Sequence, residues 1–116
     1  MKIFRVVFSK EAKEVFEYLN REATNSKTER MILKGIKHKI DLIKENSHYG
    51  DPIAKNLIPK EYKEKYEAIN LFRVELPNFW RMLYTLQGES RVEIVAFVLD
   101  IVDHKYYNKI FRYRGR

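Results

Sequence analysis

The first half of the chain shows one strand-like pattern followed by two helical patterns. Residues 3–8 form a short, nearly continuous apolar run, which is typical of a buried strand. Apolar residues then recur at helical spacing over residues 12–23 and again over residues 32–43, with Lys and Glu between them. Ser9 and Ser26 precede these segments, and serine is a favoured N-cap. The pattern therefore predicts a strand followed by a helical hairpin.

The second half has a period of two residues, which indicates strands. Residues 51–66 contain Pro52 and Pro59, and we expect them to be irregular. Three strands are predicted after them, at residues 72–76, 80–86 and 92–102, followed by a short helix that Asp103 caps and that ends near Phe111. The order β-α-α-β-β-β-α predicts an α+β fold in one domain, residues 1–116, with the helix hairpin on one face of a mainly antiparallel sheet.

Alternation on the second and third strands separates two faces of the sheet. We expect one set to pack against the helices: Phe72, Val74, Leu76, Trp80, Met82 and Tyr84. The other set is expected to line an open face: Arg73, Glu75, Arg81, Leu83 and Thr85. If Leu76 pairs with Trp80 across the turn, Glu75 lies opposite Arg81 and between two guanidinium groups. Such a group is either a surface ion pair worth at most ~1 kcal/mol or a guanidinium cluster that binds phosphate.

Charge and composition indicate which class of partner the protein binds and in which compartment it is found. The chain has 23 Lys and Arg against 16 Asp and Glu, a net charge of +7, and no cysteine. After Asp103 there is no acid, and the basic residues there are Lys105, Lys109, Arg112, Arg114 and Arg116. A local basic patch of this kind favours a polyanionic partner. The absence of cysteine, of a signal-like N-terminus and of a membrane-length apolar run predicts a cytoplasmic protein without a membrane partner.

A second group of polar residues follows the last strand. His104, Lys105 and Tyr107 stand where that strand ends and a helix begins. His104 and Tyr107 are three residues apart, so both can point to one side of the helix. No His, Asp or Glu spacing is typical of a metal site, and neither a Gly-rich phosphate loop nor a nucleophile elbow is present. We therefore predict no metal and no small-molecule cofactor.

These segments together resemble a known family. The resemblance is carried by residues 70–77, 80–84, 95–102 and the motif His104-Lys105-x-Tyr107. In this order and spacing they resemble the RelE/ParE toxins of type II toxin–antitoxin systems, and within them the RelE-like mRNA interferase branch. The resemblance covers the whole predicted element order. It implies a toxin that inhibits translation by cutting mRNA on the ribosome, without a metal, through attack of the ribose 2′-hydroxyl on the adjacent phosphate.

The resemblance also implies roles for individual residues. Arg81 matches the arginine that stabilises the transition state, and Arg73 matches a basic position on the preceding strand. His104 matches a basic residue after the last strand, and Tyr107 matches a tyrosine that stacks on a base or takes part in proton transfer. Basic residues of the C-terminal segment would bind RNA, namely Lys105, Lys109, Arg112 and Arg114. The implied partners are a cognate antitoxin, the ribosome and mRNA.

Three other functions fit the same residues. A ParE-like toxin would share the fold and inhibit DNA gyrase. A catalytically inactive relative would be a basic RNA- or protein-binding module, and Glu75 beside Arg81 favours this alternative because it neutralises a guanidinium. The third is an RNA-binding α/β domain outside the family.

Overall fold

The structure, a computed structural model, describes residues 3–88 and 93–112. These residues form four α-helices, two short 3₁₀ helices (Lys55–Leu57 and Pro77–Phe79) and a five-stranded sheet. The helices are α1 (Lys10–Glu22), α2 (Lys27–Glu45), α3 (Lys60–Tyr66) and α4 (His104–Arg112). The strands are β1 (Ile3–Phe8), β2 (Asp51–Pro52), β3 (Phe72–Glu75), β4 (Arg81–Gly88) and β5 (Glu93–Val102). The predicted α+β order is confirmed, with β2 and α3 as additional elements.

The sheet is mainly antiparallel, with the strand order β1-β5-β4-β3-β2. Only the β1–β5 pair is parallel among the described strands. The predicted hairpin register is confirmed, because Glu75 pairs with Arg81 and the Leu76 N–H donates to the Trp80 carbonyl at 2.9 Å. This register places Arg73, Glu75 and Arg81 on the same face of the sheet.

The helix hairpin covers the opposite face, as predicted. Both caps are present, since Ser9 Oγ accepts a hydrogen bond from the Ala12 N–H at 3.0 Å and Ser26 Oγ accepts one from the Glu29 N–H at 3.4 Å. The core between α1, α2 and the sheet includes the expected strand residues: Phe72, Val74, Leu76, Met82 and Tyr84 are buried, and Trp80 is partly buried. Alternation along β3 and β4 therefore identified this face correctly.

The other face is not open, and here the prediction was wrong. Leu83 and Thr85 are buried, and Leu83 belongs to a second apolar core that α3 and α4 cover. The prediction missed α3, because the Lys/Glu alternation of this segment is typical of a solvated surface. Tyr62 and Tyr66, four residues apart, are the apolar side of this helix, and Tyr62 is buried. The end of this face near Arg73, Glu75 and Arg81 lies beyond that core and stays accessible, and Arg5 and Val7 of β1 are exposed as well.

Two close backbone approaches fix the elements around that accessible end. A Cβ on Gly35 would lie 2.5 Å from Pro77 Cδ, so the glycine in α2 lets the helix approach the β3–β4 turn. Gly50 is similarly crowded, with Tyr84 Cε1 3.0 Å from its would-be Cβ. The Tyr84 hydroxyl accepts from the Gly50 N–H at 3.0 Å and donates to the Ser47 carbonyl at 2.8 Å. These contacts hold the segment that leads into β2.

Candidate functional site

Two arginines and a carboxylate meet on the accessible end of the sheet. Glu75 Oε2 lies 2.9 Å from Arg81 Nε and 3.6 Å from Arg73 Nε, so the predicted position of Glu75 between two guanidinium groups is confirmed. Arg81 is held further by a hydrogen bond from its Nη1 to the Phe79 carbonyl. Its side chain is only 12% exposed, whereas that of Glu75 is 55% exposed. The guanidiniums are thus built into the surface, and the carboxylate is the more hydrated partner.

The Nε–H groups of both arginines are incompletely satisfied. They are buried, and neither has a well-aligned hydrogen-bond acceptor. For Arg81 this holds although Glu75 Oε2 is only 2.9 Å away, because the N–H is not directed at that oxygen. The contact is therefore mainly electrostatic. A phosphate group that replaced Glu75 would offer oxygen acceptors to two guanidiniums at once.

Tyr107 of α4 joins both arginines. Arg73 Nη1 donates to the Tyr107 hydroxyl at 3.1 Å, and the Arg81 guanidinium lies over the Tyr107 ring at 5.0 Å from its centroid. The Phe111 ring packs against it with a centroid distance of 4.6 Å. The hydrogen bond to Tyr107 is the main reason that the pKa of Arg73 is raised. We call Arg73, Glu75, Arg81 and Tyr107 the arginine–tyrosine cluster.

This arrangement restricts what Tyr107 can do. Its ring already contacts Arg81 and Phe111, so these two groups compete with any further aromatic partner for that ring. Its hydroxyl oxygen accepts from Arg73, which leaves the hydroxyl hydrogen free to point at a ligand. In this geometry the hydroxyl of Tyr107 is more available to a ligand than its ring is.

His104 lies at the edge of the cluster rather than in it. Its Nε2 is 3.1 Å from the Asn108 amide nitrogen, and its ring centroid is 5.9 Å from that of Phe79. Phe79 in turn connects His104 to the cluster, because its carbonyl accepts the hydrogen bond from Arg81. The His104 side chain is exposed.

The structure separates the other predicted RNA-binding residues from the cluster. Lys105 and Lys109 are exposed on α4, each two residues from Tyr107. Because successive helical side chains are about 100° apart, both point roughly 160° away from Tyr107 around the helix axis. Arg112 is the last residue of α4; its side chain and the whole of Arg114 lie outside the described residues.

Sequence reasoning missed one acidic residue of this site. Asp51, in the two-residue strand β2, pairs with Arg73, and its Oδ2 lies 3.5 Å from Arg73 Nη2. Its side chain is 68% exposed. The Gly-Asp-Pro sequence around it is typical of a loop, and no local signal indicates a strand of two residues. With Asp51 included, two arginines face two carboxylates, so the formal charge of the site is zero.

The described side chains indicate no metal site, and comparison with known proteins assigns the chain to no family. Within residues 3–88 and 93–112, no group of three His, Cys, Asp or Glu side chains is arranged to hold a metal ion. No described helix has both the length and the apolar character required to cross a membrane. Comparisons of the chain with protein-family models, with curated proteins and with solved structures find no match.

Proposed function

We propose that the protein is an endoribonuclease toxin of the RelE type, which cleaves mRNA on the ribosome without a metal ion and thereby inhibits translation. The observation that carries the proposal is the contact of Tyr107 with both arginines: Arg73 holds its hydroxyl and Arg81 lies over its ring. A potential proton donor thus stands directly beside two cations, on a surface that is open to solvent.

The proposed chemistry uses each of these groups. The ribose 2′-oxygen forms a bond to the adjacent phosphorus while the bond from phosphorus to the 5′-oxygen breaks. His104 accepts the 2′-hydroxyl proton, and Tyr107 gives its own proton to the leaving 5′-oxygen. Arg73 stabilises the negative charge that develops on the tyrosine oxygen, and Arg81 stabilises the charge on the phosphorane. The products are a 2′,3′-cyclic phosphate and a 5′-hydroxyl end.

Glu75 determines whether the cluster can take a phosphate. Its side chain is more exposed than either guanidinium, and its distance to Arg73 Nε is 3.6 Å, so the substrate phosphate can replace it at moderate cost. The same contact favours one alternative function. If Glu75 stays in place, both arginines remain neutralised, and the protein is a basic binding module without nuclease activity.

Partners and location follow from the proposal. The net charge of +7, with Lys105 and Lys109 exposed on α4, supports binding to ribosomal RNA and mRNA. A cognate antitoxin would cover the arginine–tyrosine cluster and keep the toxin inactive. Both the toxin and its target would be in the cytoplasm.

Inducible expression of the chain in cells, with mapping of mRNA 5′ ends, tests the proposal. We would compare the wild-type protein with Tyr107→Phe, which removes the hydroxyl and keeps the ring contacts. Tyr106→Phe is the matched control, because Tyr106 is the adjacent, exposed tyrosine of the same helix. We expect growth arrest and new cuts inside translated codons for the wild type and the control. Loss of the proton donor should slow cleavage by about 10²–10⁴-fold.

Other outcomes separate the alternatives. Arrest without mRNA cuts would reject the nuclease and indicate the ParE-like gyrase inhibitor. Binding to RNA in vitro with neither arrest nor cuts would indicate the inactive module. Equal cleavage by the wild type and Tyr107→Phe would show that Tyr107 is not the proton donor of the reaction.

A further inference from the structure

Phe79 is exposed in a backbone conformation that its side chain does not favour. It lies in the β3–β4 turn with 70% of its surface exposed and a φ of 62°. Asn78, the residue before it, also has a positive φ, of 61°. Asparagine tolerates this left-handed region, but a bulky aromatic residue rarely adopts it. Strained residues of this kind cluster at functional sites, and the position therefore suggests a role other than stability.

The surroundings of Phe79 are polar and cationic rather than apolar. His104 contacts its ring at a centroid distance of 5.9 Å and an interplanar angle of 57°. Its carbonyl oxygen accepts from Arg81, which places the Phe79 backbone beside the guanidinium that also contacts Tyr107. The Phe79 ring is thus an exposed aromatic group next to a potential phosphate site, and the His104 imidazole supports one side of it.

We propose that Phe79 is a stacking platform for an unpaired nucleobase, with His104 supporting the ring. The base would stack on the face of Phe79 that His104 leaves free, because rings tilted by 57° at 5.9 Å leave no room for a base between them. The phosphate of the same or the adjacent nucleotide would bind Arg81. Stacking of this kind accepts any base and is common where proteins bind single-stranded RNA. The inference rests on the proposed function in one respect, namely that the ligand is RNA.

Binding of a short single-stranded RNA that cannot be cleaved, with 2′-O-methyl riboses, tests the platform independently of catalysis. The dissociation constant is measured by fluorescence anisotropy at low salt for the wild type, Phe79→Leu and Phe79→Trp. Leucine keeps the apolar character and removes the aromatic face, whereas tryptophan extends it. Ile69→Ser is the matched control, because Ile69 is 75% exposed and lies at the other end of the β3–β4 hairpin. Each protein is also measured with RNAs in which one nucleotide at a time is abasic.

We expect Phe79→Leu to weaken binding about 5- to 100-fold, and Phe79→Trp and Ile69→Ser to bind as well as the wild type. With the abasic residue at the stacked position, the difference between the wild type and Phe79→Leu should fall below about twofold, because the base that would stack is gone. An unchanged dissociation constant for Phe79→Leu, a loss that persists with every abasic RNA, or no binding by the wild type would each overturn the inference.

The platform and the nuclease can fail separately. If Phe79→Leu shows the expected coupling but Tyr107→Phe does not affect cleavage, or no cleavage occurs, the platform stands and the enzymatic proposal falls. If cleavage depends on Tyr107 and the abasic RNAs show no coupling with Phe79, the nuclease stands and the platform is overturned.

Discussion

Glu75→Gln is the substitution that tests the charge of the site most directly. Glutamine has nearly the same shape and keeps an oxygen acceptor beside Arg81 and Arg73, but it removes the negative charge. In the wild type the formal charge of the site is zero, because Glu75 and Asp51 offset the two arginines. The variant site has a charge of +1. We expect it to bind RNA more tightly than the wild type.

The magnitude follows from the position of the carboxylate. A phosphate that replaces Glu75 at Arg81 leaves the displaced carboxylate close by, and at a separation of about 5 Å in a largely aqueous medium two unit charges repel by about 1 kcal/mol. The high dielectric value is appropriate because the Glu75 side chain is 55% exposed. About 1 kcal/mol corresponds to a roughly fivefold lower dissociation constant. The binding constant should also depend more steeply on salt. The slope of its logarithm against the logarithm of the salt concentration should become more negative by up to about 0.7, because the site then neutralises one more RNA phosphate.

The assay is a salt titration of RNA binding, with Glu17→Gln as the control. Glu17 is exposed on α1, on the opposite side of the sheet, so this variant changes the net charge equally without changing the cluster. The control should change the affinity by less than about twofold. If Glu75→Gln binds no more tightly than Glu17→Gln, Glu75 does not compete with the phosphate. If it binds more weakly than the wild type, Glu75 orients the arginines, and the displacement argument is refuted.

Two further predictions concern stability, and both are measured by chemical denaturation. Gly35→Ala should destabilise the protein by about 1 kcal/mol, because the added Cβ would lie 2.5 Å from Pro77 Cδ. The overpacking cost of about 1–3 kcal/mol exceeds the gain in helix propensity of up to about 1 kcal/mol. If Pro77→Ala does not restore the lost stability in the double variant, the clash with Pro77 is not the cause. Burial raises the pKa of Asp100, whose Oδ2 accepts a hydrogen bond from the Tyr62 hydroxyl at 2.9 Å. The folded state therefore binds the carboxyl proton of Asp100 more tightly than the unfolded state does. Above the raised pKa, the ionised carboxylate reduces the stability of the fold. Asp100→Asn should therefore stabilise the protein at pH 7, and the gain should diminish as the pH falls through that pKa towards 3.8, the ordinary value; an equal effect at pH 7 and pH 3 would contradict the titration argument.

The fold was predictable wherever one face of an element is apolar. Period-two alternation gave the hairpin register, because a slip of one residue would have exposed Phe72 and Val74 and buried Arg73. The cap at Ser9 and the helix start after Asp103 were local signals as well, and the Tyr106 N–H donates to Asp103 Oδ1 at 2.8 Å. These features depend on neighbours in sequence and need no knowledge of the tertiary structure.

The parts of the site that depend on tertiary contacts were not predictable. The short helix α3 has a surface-like composition, and its burial through Tyr62 requires the second core of the sheet to exist first. Asp51 reaches Arg73 because Tyr84, more than thirty residues later, holds the preceding segment through two hydrogen bonds. The exposure and positive φ of Phe79 cannot be inferred from its place in a Pro-Asn-Phe turn. The burial of α3 and the position of Asp51 depend on residues distant in sequence, and the exposure of Phe79 depends on a backbone angle. A local sequence pattern reveals none of these.

The electrical neutrality of the site and the positive charge of the whole chain have different consequences for an RNA ligand. A net charge of +7 attracts RNA from a distance, and added salt weakens that attraction. The site itself contributes little to this attraction, since two carboxylates offset its two guanidiniums. Its contribution would begin at contact, when a phosphate replaces the hydrated Glu75 and meets arginines that Phe79 and Tyr107 already hold in position. On the proposed function, salt should therefore raise the RNA concentration needed for half-maximal cleavage much more than it lowers the rate at saturation.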